Sequence, residues 1–141
     1  AKFSYDRQVH YYETDQMGIV HHSNYIRWME EARIYLLAKI GLPYDKMEAD
    51  GILVPVLTVN CEYRLAFRFG DEFQIVLKPI AFNGVKLQIG YEIYNKKTGA
   101  LHARGESGHC FTDKDMKLLR LKKDYADVYE GLKAWSELKD D

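Results

Sequence analysis

The feature that most constrains the fold is a change in the spacing of apolar side chains along the chain. From Asn24 to Ile40 they recur every three or four residues, which is the period of an amphipathic helix. From Leu57 onward they alternate with polar residues, as in a strand with one face on a core. One long helix followed by consecutive strands excludes a doubly wound parallel sheet, which needs a helix after nearly every strand. The pattern predicts an α+β fold in which an antiparallel sheet curls around the long helix.

Turn and cap signals set the expected boundaries of these elements. Ser23 and Asn24 are candidate N-caps for the long helix, Gly41 is its stop, and Asn83-Gly84 is typical of a two-residue hairpin turn. The predicted strands span residues 3–12, 57–69, 73–80, 85–94 and 100–111, a further short strand spans 116–121, and a terminal helix spans 124–138.

Length, charge and cysteine content limit the classes of protein to consider. A chain of 141 residues predicts a single domain over residues 1–141. The formal net charge of −1 argues against binding to nucleic acid or to an anionic membrane surface. Cys61 and Cys110 form no metal-binding or disulfide-scaffold pattern, and no window has the ~20 apolar residues of a membrane span. We therefore expect a cytoplasmic protein.

The loop before the long helix, from Tyr11 to Tyr25, carries most of the candidate chemistry. Asp15 lies in it, close to Gly18, and a glycine allows the backbone to approach a ligand closely. The first N–H groups of a helix have no acceptor within the helix, and the helix dipole makes that end partly positive. An oxyanion that formed at this end would therefore be stabilised.

This segment resembles a known family. The run T-D-Q-M-G-I-V-H-H-S-N-Y, followed by I-R-W-M-E-E-A-R, resembles the signature of hotdog-fold acyl-CoA thioesterases of the 4-hydroxybenzoyl-CoA and short-chain acyl-CoA groups. The resemblance continues through V-P-V-L-T-V-N-C-E-Y-R and F-R-F-G-D-E-F-Q-I. It implies a hotdog fold, hydrolysis of an acyl-CoA thioester, and a homodimer or homotetramer with sites at the subunit interface. The reaction demands neither a metal nor another cofactor.

The resemblance also implies site residues. It places the catalytic carboxylate on Asp15 and the backbone N–H that polarises the thioester carbonyl on His22. In some relatives a tyrosine at the position of Tyr11 and the side chain at the position of His22 also take part. Asp15 can act as a nucleophile that forms a mixed anhydride, or as a general base that activates water.

Substrate contacts are expected from five further residues. Gly18 and Val20 lie in the loop, and Tyr25 lies at the start of the helix, where it can also be a core residue. Arg64 and Lys86 are cations that can hold the phosphates of CoA, although such residues commonly serve only to keep a sheet surface soluble.

Structural roles compete with the catalytic ones. Asp15 can be a turn or capping residue, and Tyr11 can be a packing residue. The pair His21-His22 lacks the partners of a metal site. The other histidines are expected to be hydrogen-bonded residues of strands, and two glutamates are expected on the solvated helix face; these residues are His10, His102, His109, Glu30 and Glu31.

Two other functions remain possible at the level of the sequence. One is a hydratase or dehydratase that acts on acyl thioesters, which is disfavoured because such enzymes pair a histidine with an acid in motifs absent here. The other is a non-catalytic module that binds acyl-CoA. Release of free thiol from acyl-CoA distinguishes a thioesterase from both.

Overall fold

In the computed structural model, residues 3–138 are described; residues 1, 2 and 139–141 of the predicted domain lie outside the described residues. The strands are β1 (Phe3–Gln8), β2 (Val56–Tyr63), β3 (Glu72–Phe82), β4 (Lys86–Asn95) and β5 (Leu101–Cys110). The helices are α1 (Ser23–Lys39), α2 (Tyr44–Ala49), α3 (Leu121–Asp124) and α4 (Ala126–Ser136).

The strands form one antiparallel sheet in the order β1-β3-β4-β5-β2. Hairpins join β3 to β4 and β4 to β5, with Phe73 opposite Asn95 and Leu87 opposite His109. β1 and β2 are therefore the two edges of the sheet. This is the antiparallel sheet and long helix that the sequence predicts.

The core lies between α1 and the sheet, and α1 packs mainly against β1 and β3. Trp28, Ala32 and Leu36 on α1 are fully buried, and the Trp28 ring stacks on Phe73 at 4.2 Å between centroids. Burial of a side chain as large as that of Leu36 contributes about 1.5–3 kcal/mol. Burial along one stripe therefore holds α1 in a fixed orientation on the sheet.

The ends of α1 differ in how well the sequence predicts them. Gly41 has a φ of 86°, and the N–H of Leu42 donates to the Leu37 carbonyl at 2.8 Å, so the helix stops in a Schellman motif as expected. The N-cap prediction is wrong. His22 occupies the cap position without a capping bond from its side chain, whereas Asn24 lies inside the first turn and is buried.

The segment after β2 corrects the prediction of a long strand over 57–69. β2 ends at Tyr63, and the chain then leaves the sheet so that Phe67 alone of its later apolar residues reaches the core. Leu57 and Val59 are 52% and 44% exposed, so the prediction that this apolar face lies on a core is wrong. The reason is that β2 is an edge strand, and α1 packs mainly over the opposite edge.

Three other segments depart from the sequence-based expectations at their boundaries. The first strand ends at Gln8, and Tyr11–Glu13 form a 3₁₀ turn instead of its continuation. The segment 116–121 forms only an isolated bridge from Thr112 to Leu118. The terminal helix is divided into α3 and α4 at Tyr125, whose φ of −146° is not helical.

The sequence analysis did not predict the short helix α2. α2 has six residues, which is too few for an apolar period to be recognised, and it buries only Met47. Among residues 3–138, no helix is both long and apolar enough to cross a membrane.

Candidate active site

The loop that carries Asp15 is a tight hairpin between the 3₁₀ turn and α1. Thr14 bridges Val20, and inside that bridge the N–H of Asp15 donates to the Ile19 carbonyl at 2.8 Å. The N–H of Gly18 donates back to the Asp15 carbonyl at 3.0 Å, and its φ of 79° is one that glycine adopts without strain. These bonds fix the backbone on both sides of Asp15.

The same loop is attached to the segment that follows β2. The N–H of Val20 donates to the Phe67 carbonyl at 2.9 Å, and Ile19 bridges Arg68. The early departure of the chain from the sheet after Tyr63 is what brings this segment beside the loop. A cleft of about 250 Å³ opens between the loop, the start of α1 and this segment.

Five of the predicted site residues line this one cleft. They are Asp15, Val20, His22, Tyr25 and Arg64. Met17, Tyr63 and Leu65 complete much of its wall, and the exposed Met17 and Leu65 lie at its open side. The structure thus brings together a carboxylate, a helix start and a cation from two separate segments of the chain.

The two oxygens of the Asp15 carboxylate have different roles. Oδ1 accepts the N–H of Met17 at 2.8 Å, which is the turn-stabilising bond that the sequence analysis allowed. Oδ2 accepts no hydrogen bond from any residue between 3 and 138. The carboxylate is therefore held in orientation by one oxygen while the other is available to a water or a thioester carbon in the cleft.

The start of α1 presents an unused backbone donor. Within residues 3–138 the N–H of His22 has no acceptor, and the N–H of Ser23 has only the His21 ring nitrogen, at 3.2 Å. The carbonyl of His22 is held from the other side by the hydroxyl of Tyr63, which donates to it at 3.1 Å. His22 thus offers a fixed N–H at the positive end of a 17-residue helix.

Tyr25 is both a core residue and a wall of the cleft. Its side chain is 3% exposed, and its ring meets that of Tyr63 edge to face at 4.9 Å. Burial raises the pKa of the Tyr25 hydroxyl to about 12, so this group is neutral at physiological pH.

Three of the predicted site residues do not line the cleft. Gly18 adopts the positive φ that the tight turn of the loop requires. Tyr11 is 75% exposed and packs edge to face against Phe69 at 5.5 Å. Lys86 lies beside the β3–β4 turn, where it lines a separate cavity of about 450 Å³.

The expectation that the other histidines are hydrogen-bonded residues of strands is wrong in part. His102 and His109 lie on β5, but the Nδ1 atom of each is buried without a partner among the described residues. Burial and the nearby Arg33 guanidinium lower the pKa of His109 to about 4, so its ring is neutral. His10 lies outside β1, and its ring contacts Arg7 and Tyr12.

Sequence reasoning missed Glu13, which is 3% exposed. Its carboxylate accepts bonds from Arg7 at 2.6 Å, from the Trp28 indole at 2.8 Å and from the N–H of His10 at 2.8 Å. Burial alone would raise the pKa of Glu13, but these donors outweigh it and hold the pKa below its usual value. The only sequence signal was an acidic residue directly before the T-D pair.

Glu31 also departs from its predicted place on a solvated helix face. Both of its carboxylate oxygens accept bonds from Arg7 at 2.8 Å, and Oε1 also accepts the Tyr5 hydroxyl at 3.0 Å. Among residues 3–138, no three His, Cys, Asp or Glu side chains are grouped so that they could hold a metal ion.

Comparison with known proteins agrees with this architecture. The profile of the thioesterase-like superfamily matches residues 9–135. The chain is 38% identical over 130 residues to the putative acyl-CoA thioesterase YneP of Bacillus subtilis, covering 89% of this chain and 94% of that protein. It is 35% identical over 126 residues to a putative esterase of Aquifex aeolicus, covering 89% and 96%.

Among solved structures, the DHNA-CoA thioesterase of Staphylococcus aureus superposes with a TM-score of 0.89 at 28% identity, over 94% of this chain and 89% of that one. The fold is thus that of the hotdog thioesterases, and the relatives are thioester hydrolases, which confirms the predicted fold and enzyme class. The chain belongs to the thioesterase-like superfamily.

Proposed function

We propose that this protein hydrolyses a small acyl-CoA thioester to the free acid and CoA, with Asp15 as the catalytic carboxylate. The observation that carries the proposal is that the unengaged Oδ2 of Asp15 and the unused N–H of His22 belong to residues that line one cleft.

The chemistry follows from these two groups. Asp15 either takes the proton of a water that attacks the carbonyl carbon, or attacks that carbon itself to form an anhydride that water then hydrolyses. In both routes the carbonyl oxygen becomes an oxyanion, which the N–H of His22 stabilises. The C–S bond then breaks, and CoA leaves as a thiolate, which needs little assistance from an acid.

The walls of the cleft support a small acyl group as the substrate. Val20, Tyr25 and Leu65 offer apolar surface, and the volume of about 250 Å³ limits the length of the chain that fits. The DHNA-CoA thioesterase among the relatives is named for an aromatic acyl-CoA, and the aromatic wall of Tyr25 is compatible with such a group. Acyl-CoA is thus the class of substrate that we assign.

Arg64 is the cation that we assign to the CoA phosphates. It lines the cleft and pairs with Glu62 at 3.1 Å on the surface. Such an exposed pair contributes little to stability, so Arg64 can exchange it for a phosphate at little cost. Lys86 lines a different cavity, away from this cleft, so we do not assign it to this site.

We further propose a homodimer or a tetramer of such dimers. The support is β2, an edge strand with unpaired backbone groups on which Val56, Leu57 and Val59 are between 44% and 52% exposed. Association along this edge would cover both the apolar side chains and the backbone groups. Light scattering after size-exclusion chromatography at micromolar concentration is expected to give twice or four times the monomer mass of 16.5 kDa.

We also propose that the protein is located in the cytoplasm and that it forms a single domain. Cys61 and Cys110 are both free thiols, which supports a cytoplasmic location. All five strands share one sheet and α4 packs on β3, which supports one domain over residues 1–141.

The test of the function is release of thiol from a panel of acyl-CoA esters by wild type and by Asp15→Asn. We expect a loss of kcat of at least ~10³-fold in the variant, with its melting temperature preserved. Asp6→Asn is the matched control, because Asp6 is an exposed aspartate that pairs with Lys96 at 3.2 Å and lies outside the cleft. Full activity of Asp15→Asn would contradict the proposal, as would acyl-CoA binding by wild type without any thiol release.

A further inference from the structure

Glu13 differs from every other carboxylate near the cleft in being buried and fully engaged. It lies two residues before Asp15, and its side chain is enclosed by Arg7, Trp28 and the backbone of His10. Arg7 lies on β1, Trp28 lies in the second turn of α1, and His10 lies in the segment after β1. The carboxylate therefore joins three parts of the chain at the point where the loop begins.

The backbone of Glu13 is attached to the other end of the same loop. Its carbonyl accepts the N–H of His21 at 2.9 Å and the side-chain amide of Asn24 at 3.0 Å. The Asn24 amide also donates to the His21 carbonyl at 3.3 Å, so it bonds the residues on both sides of the hairpin that carries Asp15. Asn24 is buried, and water does not compete freely for these bonds.

We propose that Glu13 is a positioning residue that fixes the carboxylate of Asp15 relative to the start of α1, an inference that rests on the proposed function. Its side chain anchors the 3₁₀ turn to the core, and its carbonyl anchors that turn to the residue preceding His22. The two ends of the loop cannot then move independently, so Glu13 adds to the loop's own hydrogen bonds a link from the core to both ends.

The charge of Glu13 is what makes this anchor stiff. Hydrogen bonds from Arg7 and Trp28 to an ionised oxygen are shorter and stronger than neutral ones. A glutamine of the same shape would replace one accepting oxygen with an NH₂ group, which cannot accept a bond from the donors that surround it. The turn would have to shift, and a displacement of ~1 Å at a reacting group can reduce the rate by ~10²-fold.

The first test compares Glu13→Gln with Glu31→Gln in steady-state thiol release. Glu13→Gln is expected to lower kcat by ~10- to 100-fold with KM changed less than ~3-fold. Glu31 is the matched control, because it bonds the same Arg7 but makes no contact with the loop; Glu31→Gln is expected to keep kcat within ~3-fold. Equal losses of kcat in the two variants, or no loss in Glu13→Gln, would overturn the inference.

A double-mutant cycle separates positioning from a general effect on the fold. If Glu13 acts through Asp15, adding Glu13→Gln to Asp15→Asn changes the residual rate by less than ~2-fold. If the second substitution lowers the residual rate as much as it lowers that of wild type, the role of Glu13 is structural and the inference is overturned.

A second variant covers the case in which Glu13→Gln fails to fold. Asn24→Ala removes the bond to the Glu13 carbonyl from the other side and is expected to show the same fall in kcat with KM retained, and the same disappearance of the effect in Asp15→Asn. A folded Asn24→Ala with wild-type kcat would then overturn the inference. An inactive Asp15→Asn beside a fully active, folded Glu13→Gln overturns only this inference, whereas a fully active Asp15→Asn overturns the proposed function and this inference with it.

Discussion

The hydroxyl of Tyr63 donates to the carbonyl of His22 at 3.1 Å, so the last residue of β2 is bonded directly to the residue that caps α1. Their rings also meet edge to face, at 6.4 Å between centroids. The edge strand and the helix start are therefore coupled across the cleft. The orientation of the proposed oxyanion donor depends on a strand that is distant in the sequence.

This coupling predicts a measurable effect of Tyr63→Phe. Loss of the hydroxyl leaves the ring contacts intact and removes one bond to the His22 carbonyl, which still accepts the N–H of Tyr25 at 3.2 Å. We therefore expect kcat to fall by ~2- to 10-fold and the unfolding free energy to fall by about 1 kcal/mol. Tyr35→Phe is the control, because the hydroxyl of Tyr35 makes no hydrogen bond within residues 3–138 and the ring is similarly exposed. Wild-type kcat in a folded Tyr63→Phe would show that the bond does not orient the donor.

Met17 is expected to limit the size of the acyl group. Its side chain is 74% exposed at the open side of the cleft, whereas its contact with Asp15 is made by the backbone. Met17→Ala should therefore leave turnover of acetyl-CoA within ~2-fold. It should raise kcat/KM for benzoyl-CoA by ~3-fold or more, because a larger acyl group could then bury more of its surface in the cleft. Each additional CH₂-sized part of the acyl group that is buried is worth about 0.8 kcal/mol.

The control for this experiment is Leu118→Ala, which shortens a similarly exposed side chain away from the cleft. The ratio of kcat/KM values for the two esters should stay constant in that variant. An unchanged ratio in Met17→Ala would mean that Met17 does not shape the acyl site.

Stability is expected to decrease as the pH falls from 6.5 toward 4, because the His109 ring is buried as the neutral form. The pKa of His109 is about 4 in the folded protein and near its usual 6.5 in the unfolded chain, so between these values the unfolded state binds more protons. The stability conferred by neutral His109 is complete above pH 6.5 and is lost as the pH falls toward 4, by up to about 3 kcal/mol. The lowered pKa of His102 also makes the protein less stable as the pH falls. The lowered pKa of Glu13 has the same effect, but at pH values below its usual pKa of 4.5.

Urea unfolding of wild type and His109→Gln at pH 7, 6, 5 and 4 checks this prediction. Glutamine retains a group that can bond to Ser107, which lies 2.7 Å from the ring of His109, but it does not titrate. The decrease in unfolding free energy between pH 6.5 and 4 should be smaller in the variant. Parallel curves for the two proteins would contradict the assignment to His109.

Two glycines of β5 should differ sharply in their tolerance of alanine. A Cβ at Gly105 would collide with the Asn60 carbonyl oxygen, which is backbone of β2, whereas the close contact of a Cβ at Gly108 would be with the Thr58 hydroxyl at 2.6 Å. A side chain can rotate away, but a paired strand cannot. We expect Gly105→Ala to cost about 2–3 kcal/mol of unfolding free energy and Gly108→Ala less than half of that. Equal losses in thermal or urea unfolding would contradict this account.

The periodic parts of the fold were predictable, and the parts set by tertiary contacts were not. The apolar stripe on α1 and the stop at Gly41 are local signals, and both correspond to the structure. The alternation around Leu57 and Val59 has the same local form as a buried strand, yet only the position of β2 at the sheet edge determines that these residues are exposed. Sequence alone carries no information on which strand becomes the edge.

The candidate site shows the same division. The loop motif predicted that Asp15 and His22 lie together, and both line the cleft. Lys86 was proposed from charge alone, and charge does not indicate where on a sheet a residue lies. Glu13 was missed because a buried, paired carboxylate has no local pattern; its partners Arg7 and Trp28 lie on different elements.

The attachment of the Asp15 loop on both of its sides has a consequence for turnover. With Thr14 bridged to Val20, and Ile19 bridged to Arg68, the loop has no free segment that could swing open as a lid. In the proposed mechanism, entry of the acyl group and departure of the acid would need only rotation of exposed side chains such as those of Met17 and Leu65, which takes picoseconds to nanoseconds. We therefore expect chemistry or dissociation of CoA to limit turnover, and not an opening of the backbone.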